Sequence, residues 1–186
     1  MPLIRETIVI TIGASGRPHI APLGLIAEGD DWIIAPFRPS TTLDNLMAVP
    51  FATASHTDDV RVFAGCLTGR HDWPTVPAEE VPVPRLADAL AHTELAVLDV
   101  REDAQRPRLR CRVVREVSHA PFHGFNRAQA AVLEAAILVS RLDMLPRDRI
   151  DREMAYLQIA VDKTAGPRER EAWGWLVGKV RAHAAG

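Results

Sequence analysis

Cysteine is nearly absent from this chain. Cys66 and Cys111 stand far apart and outside any CxxC pattern, so neither a disulfide framework nor a cysteine zinc site is expected, and a reducing, cytoplasmic setting fits. A basic excess is lacking too: 22 Lys and Arg against 24 Asp and Glu leave a formal net charge of -2. The first 118 residues carry 12 basic and 16 acidic side chains and the remainder 10 and 8, so neither part offers a platform for nucleic acid. No apolar run approaches membrane-spanning length, and Arg5 and Glu6 break the apolar start before it resembles a signal peptide. Lysine is confined to Lys163 and Lys179, an arginine bias that reads as genome composition. Familiar catalytic signatures are missing as well. Gly13–Gly16 is not followed by the Gly-Lys-Ser/Thr of a P-loop, and there is no HExxH or GxSxG. What remains, at 186 residues with 47% hydrophobic and 25% charged residues, is one globular domain or one domain with a smaller appendage.

The first half reads as strands. Glu6–Ile12 alternates Thr with Ile and Val, a Gly13-Ala14-Ser15-Gly16 turn follows, and Pro18–Ala27 is a second apolar run. After Glu28–Asp31, Trp32–Phe37 completes a three-stranded antiparallel meander. Ser40 then offers a capping hydroxyl before apolar residues at helical spacing, which predicts a short helix. Further strands are predicted over Phe51–His56, Val60–Thr68, Glu94–Arg101 and Pro107–Val117, with a short helix over Arg85–Ala91. The prolines at 74, 77, 82 and 84 mark a surface crossover. Six or more strands in this length suggest a small barrel. From residue 119 onward three amphipathic helices are expected: one over Ala130–Leu142 behind an Asn126/Gln129 capping box, one carrying Leu145, Ile150, Met154, Leu157 and Val161, and one after Gly166-Pro167. The division therefore falls into a barrel, 1–118, and a helical subdomain, 119–186.

Several segments admit both a binding and a structural reading. At Phe37-Arg38-Pro39-Ser40-Thr41-Thr42, a strand end meets a helix start rich in hydroxyls, beside a guanidinium. Free N–H groups and the helix dipole there suit a phosphate; ordinary helix capping explains the same residues. Pro18–Gly24 places Pro22 and Gly24 inside a strand-like run, which marks either a bulged edge or a face on which a flat ligand lies. His19 alone is no catalyst. Asn126-Arg127 either caps its helix or presents an amide and a guanidinium to a ligand. Glu134 and Arg141 read as buried structural partners on one helix face. Arg106, Arg108, Arg110 and Arg112 alternate along one strand, as an anion ladder or as the solvated face of a sheet. Glu79-Glu80 reads as a solvated loop, and His119/His123, split by Pro121, as no metal site.

Taken together and in order, these segments resemble the flavin-binding split-barrel family catalogued as domain of unknown function 447. The resemblance rests on Glu6-x-Ile8-Val9-x-Thr11, Gly16-x-Pro18-His19-x-Ala21-Pro22-x-Gly24 and Phe37-Arg38-Pro39-Ser40-Thr41-Thr42-x-x-Asn45-Leu46. In the second half it rests on Phe125-Asn126-Arg127-Ala128, Val132-x-Glu134-Ala135-x-Ile137, Arg141 and Lys163-Thr164-x-Gly166. It implies an α+β fold, an antiparallel split β-barrel of the pyridoxamine-phosphate-oxidase type followed by helices, forming a homodimer with FMN at the interface. In that picture Arg38, Ser40, Thr41 and Thr42 hold the phosphate, with Asn45 one turn beyond. His19, Ala21, Pro22, Leu23 and Gly24 lie along the isoalloxazine, and Asn126 and Arg127 complete the pocket. Related oxidases have a basic pair where this chain has Thr41-Thr42, so charge is to come from Arg38, Arg127 or another arginine, or FMN affinity is modest. The implied activity is that of an FMN-dependent oxidoreductase or flavin reductase, with NADH or NADPH as a possible donor, an unidentified small-molecule substrate and no committed acid or base. A flavin carrier without turnover, or a structural dimer without ligand, are the alternatives.

Overall fold

The computed structural model describes residues 2–184. In chain order the elements are β1 (Ile4–Ile12), β2 (Pro18–Glu28), β3 (Asp31–Ile34), α1 (Thr41–Ala48), β4 (Phe51–His56), α2 (Val60–Leu67), β5 (Thr75–Val76), β6 (Arg85–Leu86), β7 (Ala91–Arg101), β8 (Arg108–Ser118), α3 (Arg127–Val139), α4 (Arg147–Thr164) and α5 (Pro167–Ala184). Six strands close into an antiparallel barrel in the order β1-β2-β3-β8-β7-β4, while β5 and β6 form a separate two-stranded ribbon. The fold is therefore α+β, with the three long helices in the second half as the change of periodicity predicts and two short ones, α1 and α2, in the first.

Period-2 alternation explains the barrel core. Val9, Leu25, Ile34, Leu95, Leu109 and Cys111 point inward, and Leu43 and Leu46 of α1 plug the same cluster. Burial of this kind contributes about 1.5–3 kcal/mol per large aliphatic side chain. β1 is buried on both faces, since Ile8 and Ile10 on its outer side are also inaccessible. They stand opposite Ser55 and Thr53 of β4, and the proline-rich crossover is fastened to that outer face. The Thr53 hydroxyl donates to the Pro84 carbonyl at 2.6 Å, and the Leu86 N–H donates to the Ser55 hydroxyl at 3.2 Å.

The chain divides into two compact units. One takes the residues up to Thr57 with Asp72–Phe122, and the other takes Asp58–His71 with the chain from His123 onward. The second unit is helical. Ala128, Ala131, Ala135 and Ala136 of α3 pack with Val60 and Ala64 of α2, Ile150 of α4, and Trp173 and Leu176 of α5. Small side chains on α3 let the neighbouring helices approach closely.

Two predicted elements differ from the observed ones. Val60–Thr68 is helix, not strand. Its Val-x-Val-Phe start mimics strand alternation, but Asp59 caps the segment by accepting the Arg61 N–H at 3.1 Å, and Val60, Phe63 and Ala64 recur at helical spacing on the buried side. Arg85–Ala91 is not a helix: Arg85 and Leu86 pair with Val76 and Thr75, and the next strand begins at Ala91. Boundaries also shift. β3 ends at Ile34, short of Phe37, and α3 begins three residues earlier than its apolar periodicity suggests, directly after its Asn126 cap.

Candidate functional site

The junction of β3 with α1 is built by its own backbone chemistry. Ser40 sits in extended conformation, with φ -159 and ψ 145, as the N-cap of α1. Its hydroxyl accepts the Leu43 N–H at 3.3 Å, and its carbonyl accepts the Asp44 N–H at 3.1 Å. The first-turn N–H groups of Thr41 and Thr42 are then left with no acceptor among the described residues. They lie at the positive end of the helix dipole, and the Ser40 hydroxyl still has its own proton to donate. The Arg38–Pro39 peptide bond is cis.

The side chains of this segment have separate fates. Thr41 is exposed, whereas Thr42 is buried beside Leu43, Asn45 and Leu46. The Asn45 amide nitrogen donates to the Thr11 hydroxyl at 3.1 Å, which fastens α1 to the end of β1. The same amide leaves no room for a side chain at residue 13, where a Cβ would stand 2.7 Å from Asn45 Oδ1. Arg38 donates its backbone N–H to the Gln105 carbonyl and pairs through its guanidinium with Glu102, both at 2.9 Å. That ion pair is solvent-exposed on both sides, so an incoming anion can compete for it at little cost.

Along β2, His19, Ala21, Pro22, Leu23 and Gly24 stand opposite Thr11, Val9, Ile8, Thr7 and Glu6 of β1. β3 covers only Ile26–Glu28 on the other side. Pro18–Leu25 is thus flanked by one strand only, which is where a proline is tolerated. Alternation sends Ala21 and Leu23 to the core side, where the Leu23 carbonyl accepts the Thr7 hydroxyl at 3.0 Å, and Pro22 and Gly24 to the outer side, so these residues share a strand edge and not one face. A Cβ on Gly24 would meet Ile4 Cγ2 at 2.7 Å, which gives this glycine a packing reason of its own.

Asn126 and Arg127 belong to the helical unit. Asn126 Oδ1 accepts the Ala128 N–H at 2.8 Å and the Gln129 N–H at 3.4 Å, while its amide nitrogen donates to the Thr164 carbonyl at 3.1 Å. Arg127 is exposed. The capping box is not reciprocal, because the Gln129 side chain donates to Glu169 at 3.3 Å. Glu134 and Arg141, read from sequence as buried, are both exposed. Within the barrel unit, the structure brings Arg38, Ser40, Thr41, Thr42 and Asn45 together on one turn, and the five β2 residues along one edge.

One cluster singled out in the sequence has a different character, and another went unrecognised. The arginine row is neither a plain ladder nor merely solvated. Arg110 bridges Asp99 and Asp31, at 2.6 and 2.9 Å, and Arg106 reaches back to the β3–α1 junction. The other cluster is centred on Glu94, a fully buried carboxylate. Its Oε1 accepts the Glu79 N–H at 3.0 Å, and its Oε2 accepts the Glu80 and Val81 N–H groups, each at 2.8 Å. His92 Nε2 lies 3.2 Å from Oε1, and His92 Nδ1 lies 2.9 Å from His119 Nε2, with the two rings stacked. Burial opposes ionisation of Glu94, but the three N–H groups and His92 outweigh it and hold the carboxyl below its usual range. His119 is pushed below its ordinary value by desolvation, then by the charges of Arg85 and His92. The Glu79-Glu80 loop is therefore pinned from beneath by its backbone, and its side chains meet Arg115 on β8. One weak signal was available, since His92 and Glu94 alternate on one face of Ala91–Leu98, where the other residues are apolar or Thr.

Residues 5–120 match the profile of the N-terminal domain of the protein of unknown function DUF447, and residues 126–178 match the DUF447 C-terminal profile. Among solved structures, an FMN-bound protein of Methanosarcina mazei with the same family profile is 19% identical, with 96% of each chain covered and a TM-score of 0.83. Flavoredoxin of Desulfovibrio vulgaris is 14% identical over 62% of this chain and 70% of its own, at a TM-score of 0.53. The flavin reductase component of a bacterial two-component tryptophan halogenase is 15% identical over 64% of this chain and 83% of its own, also at 0.53. These likenesses establish a shared fold. No curated protein matches the sequence.

Proposed function

The chain belongs to the DUF447 family through both its N-terminal and C-terminal parts, and from that premise we propose that it binds FMN and serves as an FMN-dependent oxidoreductase or flavin reductase. One observation carries the reading: the α1 N-terminus offers two N–H groups without acceptors and a hydroxyl donor beside Arg38, in a barrel whose fold is shared with an FMN-bound family member.

The residues present fit the group. A phosphate dianion would take the Thr41 and Thr42 N–H groups, the Ser40 hydroxyl and, once released from Glu102, the Arg38 guanidinium. The exposed Thr41 hydroxyl is a further donor, while buried Thr42 contributes through its backbone. The stretch of β2 flanked by one strand only offers a backbone edge to the polar rim of a flat ring, and Pro22 on its outer side supplies apolar surface. Bound FMN would supply hydride transfer at its ring, which the protein orients rather than performs. In this reading the barrel, 1–118, is the flavin domain and two copies pair around the cofactor. With one guanidinium at the phosphate turn, affinity falls as salt rises.

Purified full-length protein tests this directly. Titration should show saturable binding of FMN with riboflavin clearly weaker, and oxidation of NADH or NADPH by the loaded protein would identify a reductase. Bound FMN without oxidation of either nucleotide would point to a carrier. Protein that ignores added FMN would sink the reading, and a monomer that binds it fully would remove the interface pocket.

A further inference from the structure

The hairpin tip joining β7 to β8, residues 102–107, grips the segment that delivers the chain into α1. Arg106 makes the firmest contact. Its Nε and Nη2 both donate to the Ala35 carbonyl, at 3.1 and 2.9 Å, and its guanidinium lies 4.6 Å over the Phe37 ring. A second tie comes from the backbone, where the Arg38 N–H donates to the Gln105 carbonyl at 2.9 Å. The tip itself is braced by Asp103, whose Oδ1 accepts the Gln105 and Arg106 N–H groups at 2.8 and 2.7 Å. Ala35 and Phe37 lie past the last paired residue of β3, where no strand ladder holds the backbone. What fixes their course toward Ser40 is therefore the hairpin tip.

From this geometry we infer that Arg106 is a positioning residue for phosphate recognition: by clamping Ala35 and Phe37 it sets the direction of the α1 N-terminus and so confers preference for a phosphorylated flavin over its phosphate-free form. The inference rests on the FMN reading above. A planar guanidinium is suited to the task because one face stacks on the aromatic ring while two N–H groups converge on one carbonyl, which a lysine ammonium cannot reproduce.

The test compares the full-length wild type with Arg106→Ala and Arg106→Lys. FMN and riboflavin are titrated in parallel, and amide exchange over Phe37–Leu43 is followed without flavin. For Arg106→Ala, exchange should accelerate and FMN affinity should drop about tenfold, the scale of losing a bidentate hydrogen bond and a stacked cation. Riboflavin affinity should stay within about twofold. Arg106→Lys should behave like the alanine variant. Equal losses for both flavins, or unchanged exchange, would overturn the positioning role, and recovery of FMN affinity by lysine would reduce it to charge. If the wild type binds neither flavin, the FMN reading fails and this inference falls with it, an outcome distinct from a wild type that binds FMN while the variants bind it equally well.

Discussion

Replacing Glu94 with glutamine is a nearly isosteric change whose cost follows from the hydrogen bonds around that side chain. In the native protein each carboxylate oxygen meets two donors: Oε1 meets the Glu79 N–H and His92 Nε2, and Oε2 meets the Glu80 and Val81 N–H groups. A glutamine amide keeps one oxygen and turns the other into a donor. With its nitrogen toward Glu80 and Val81 it leaves both N–H groups without an acceptor; placed the other way it leaves only the Glu79 N–H, because His92 can change tautomer and accept at Nε2. Leaving one buried donor unsatisfied costs about 1–3 kcal/mol, and the bonds to the remaining oxygen lose their charge assistance, so Glu94→Gln should destabilise by about 2–4 kcal/mol. Urea unfolding with a fixed m-value gives the number. Hydrogen exchange locates it, since the amides of residues 79–81 should lose protection before the barrel strands do. A variant within about 1 kcal/mol of the wild type, with those amides still protected, would refute the argument that this carboxylate pins the crossover.

The other expectations are smaller. Stability should fall with acid in two stages. The histidines His56 and His119 are both held below their ordinary value, chiefly by desolvation, so the unfolded chain takes up more protons and stability declines as pH drops below about 6.5. Asp59, Glu94 and Asp103 are also lowered, so their contribution is present above about pH 4.5 and is lost as pH falls through their folded values. A urea midpoint that stays flat from pH 8 to 3 would contradict both signs. Gly13→Ala should cost about 1–3 kcal/mol, because the new Cβ meets Asn45 Oδ1 at 2.7 Å and forces the amide off Thr11; an unchanged thermal midpoint would show that Asn45 can yield. Ser40→Ala removes the acceptor of the Leu43 N–H and should cost about 1 kcal/mol without flavin, measured by thermal melting. It should also weaken FMN more than riboflavin, and an equal effect on the two would confine Ser40 to capping.

Much of the fold was legible because its signals are local. The meander from β1 to β3 is written in alternation and in the turns at Gly13–Gly16 and Glu28–Asp31, and the three long helices in their period, with a cap for α3 alone. What failed was local as well, but ambiguous. Val60–Leu67 carries β-branched residues at alternating positions, and its Asp59 cap reads equally well as a turn before a strand. Arg85-Leu86 takes its conformation from pairing with Thr75-Val76, so nothing within those two residues could announce it.

The candidate site divides along the same line. The phosphate turn was visible because capping and anion binding draw on the same N–H groups and hydroxyls, so a sequence that caps well also displays the donors. Which purpose each group serves was not visible, since that depends on residues distant in the chain. Asn45 is engaged by Thr11, Arg38 by Glu102, and Arg106 looked like one member of an alternating row until the hairpin tip folded back on Ala35 and Phe37. Glu94 is the extreme case. A lone glutamate inside a strand reads as a solvent-facing residue until three backbone N–H groups from a proline-rich crossover turn toward it. A carboxylate satisfied by backbone donors leaves no side-chain pattern in the sequence, because any residue but proline can present an N–H.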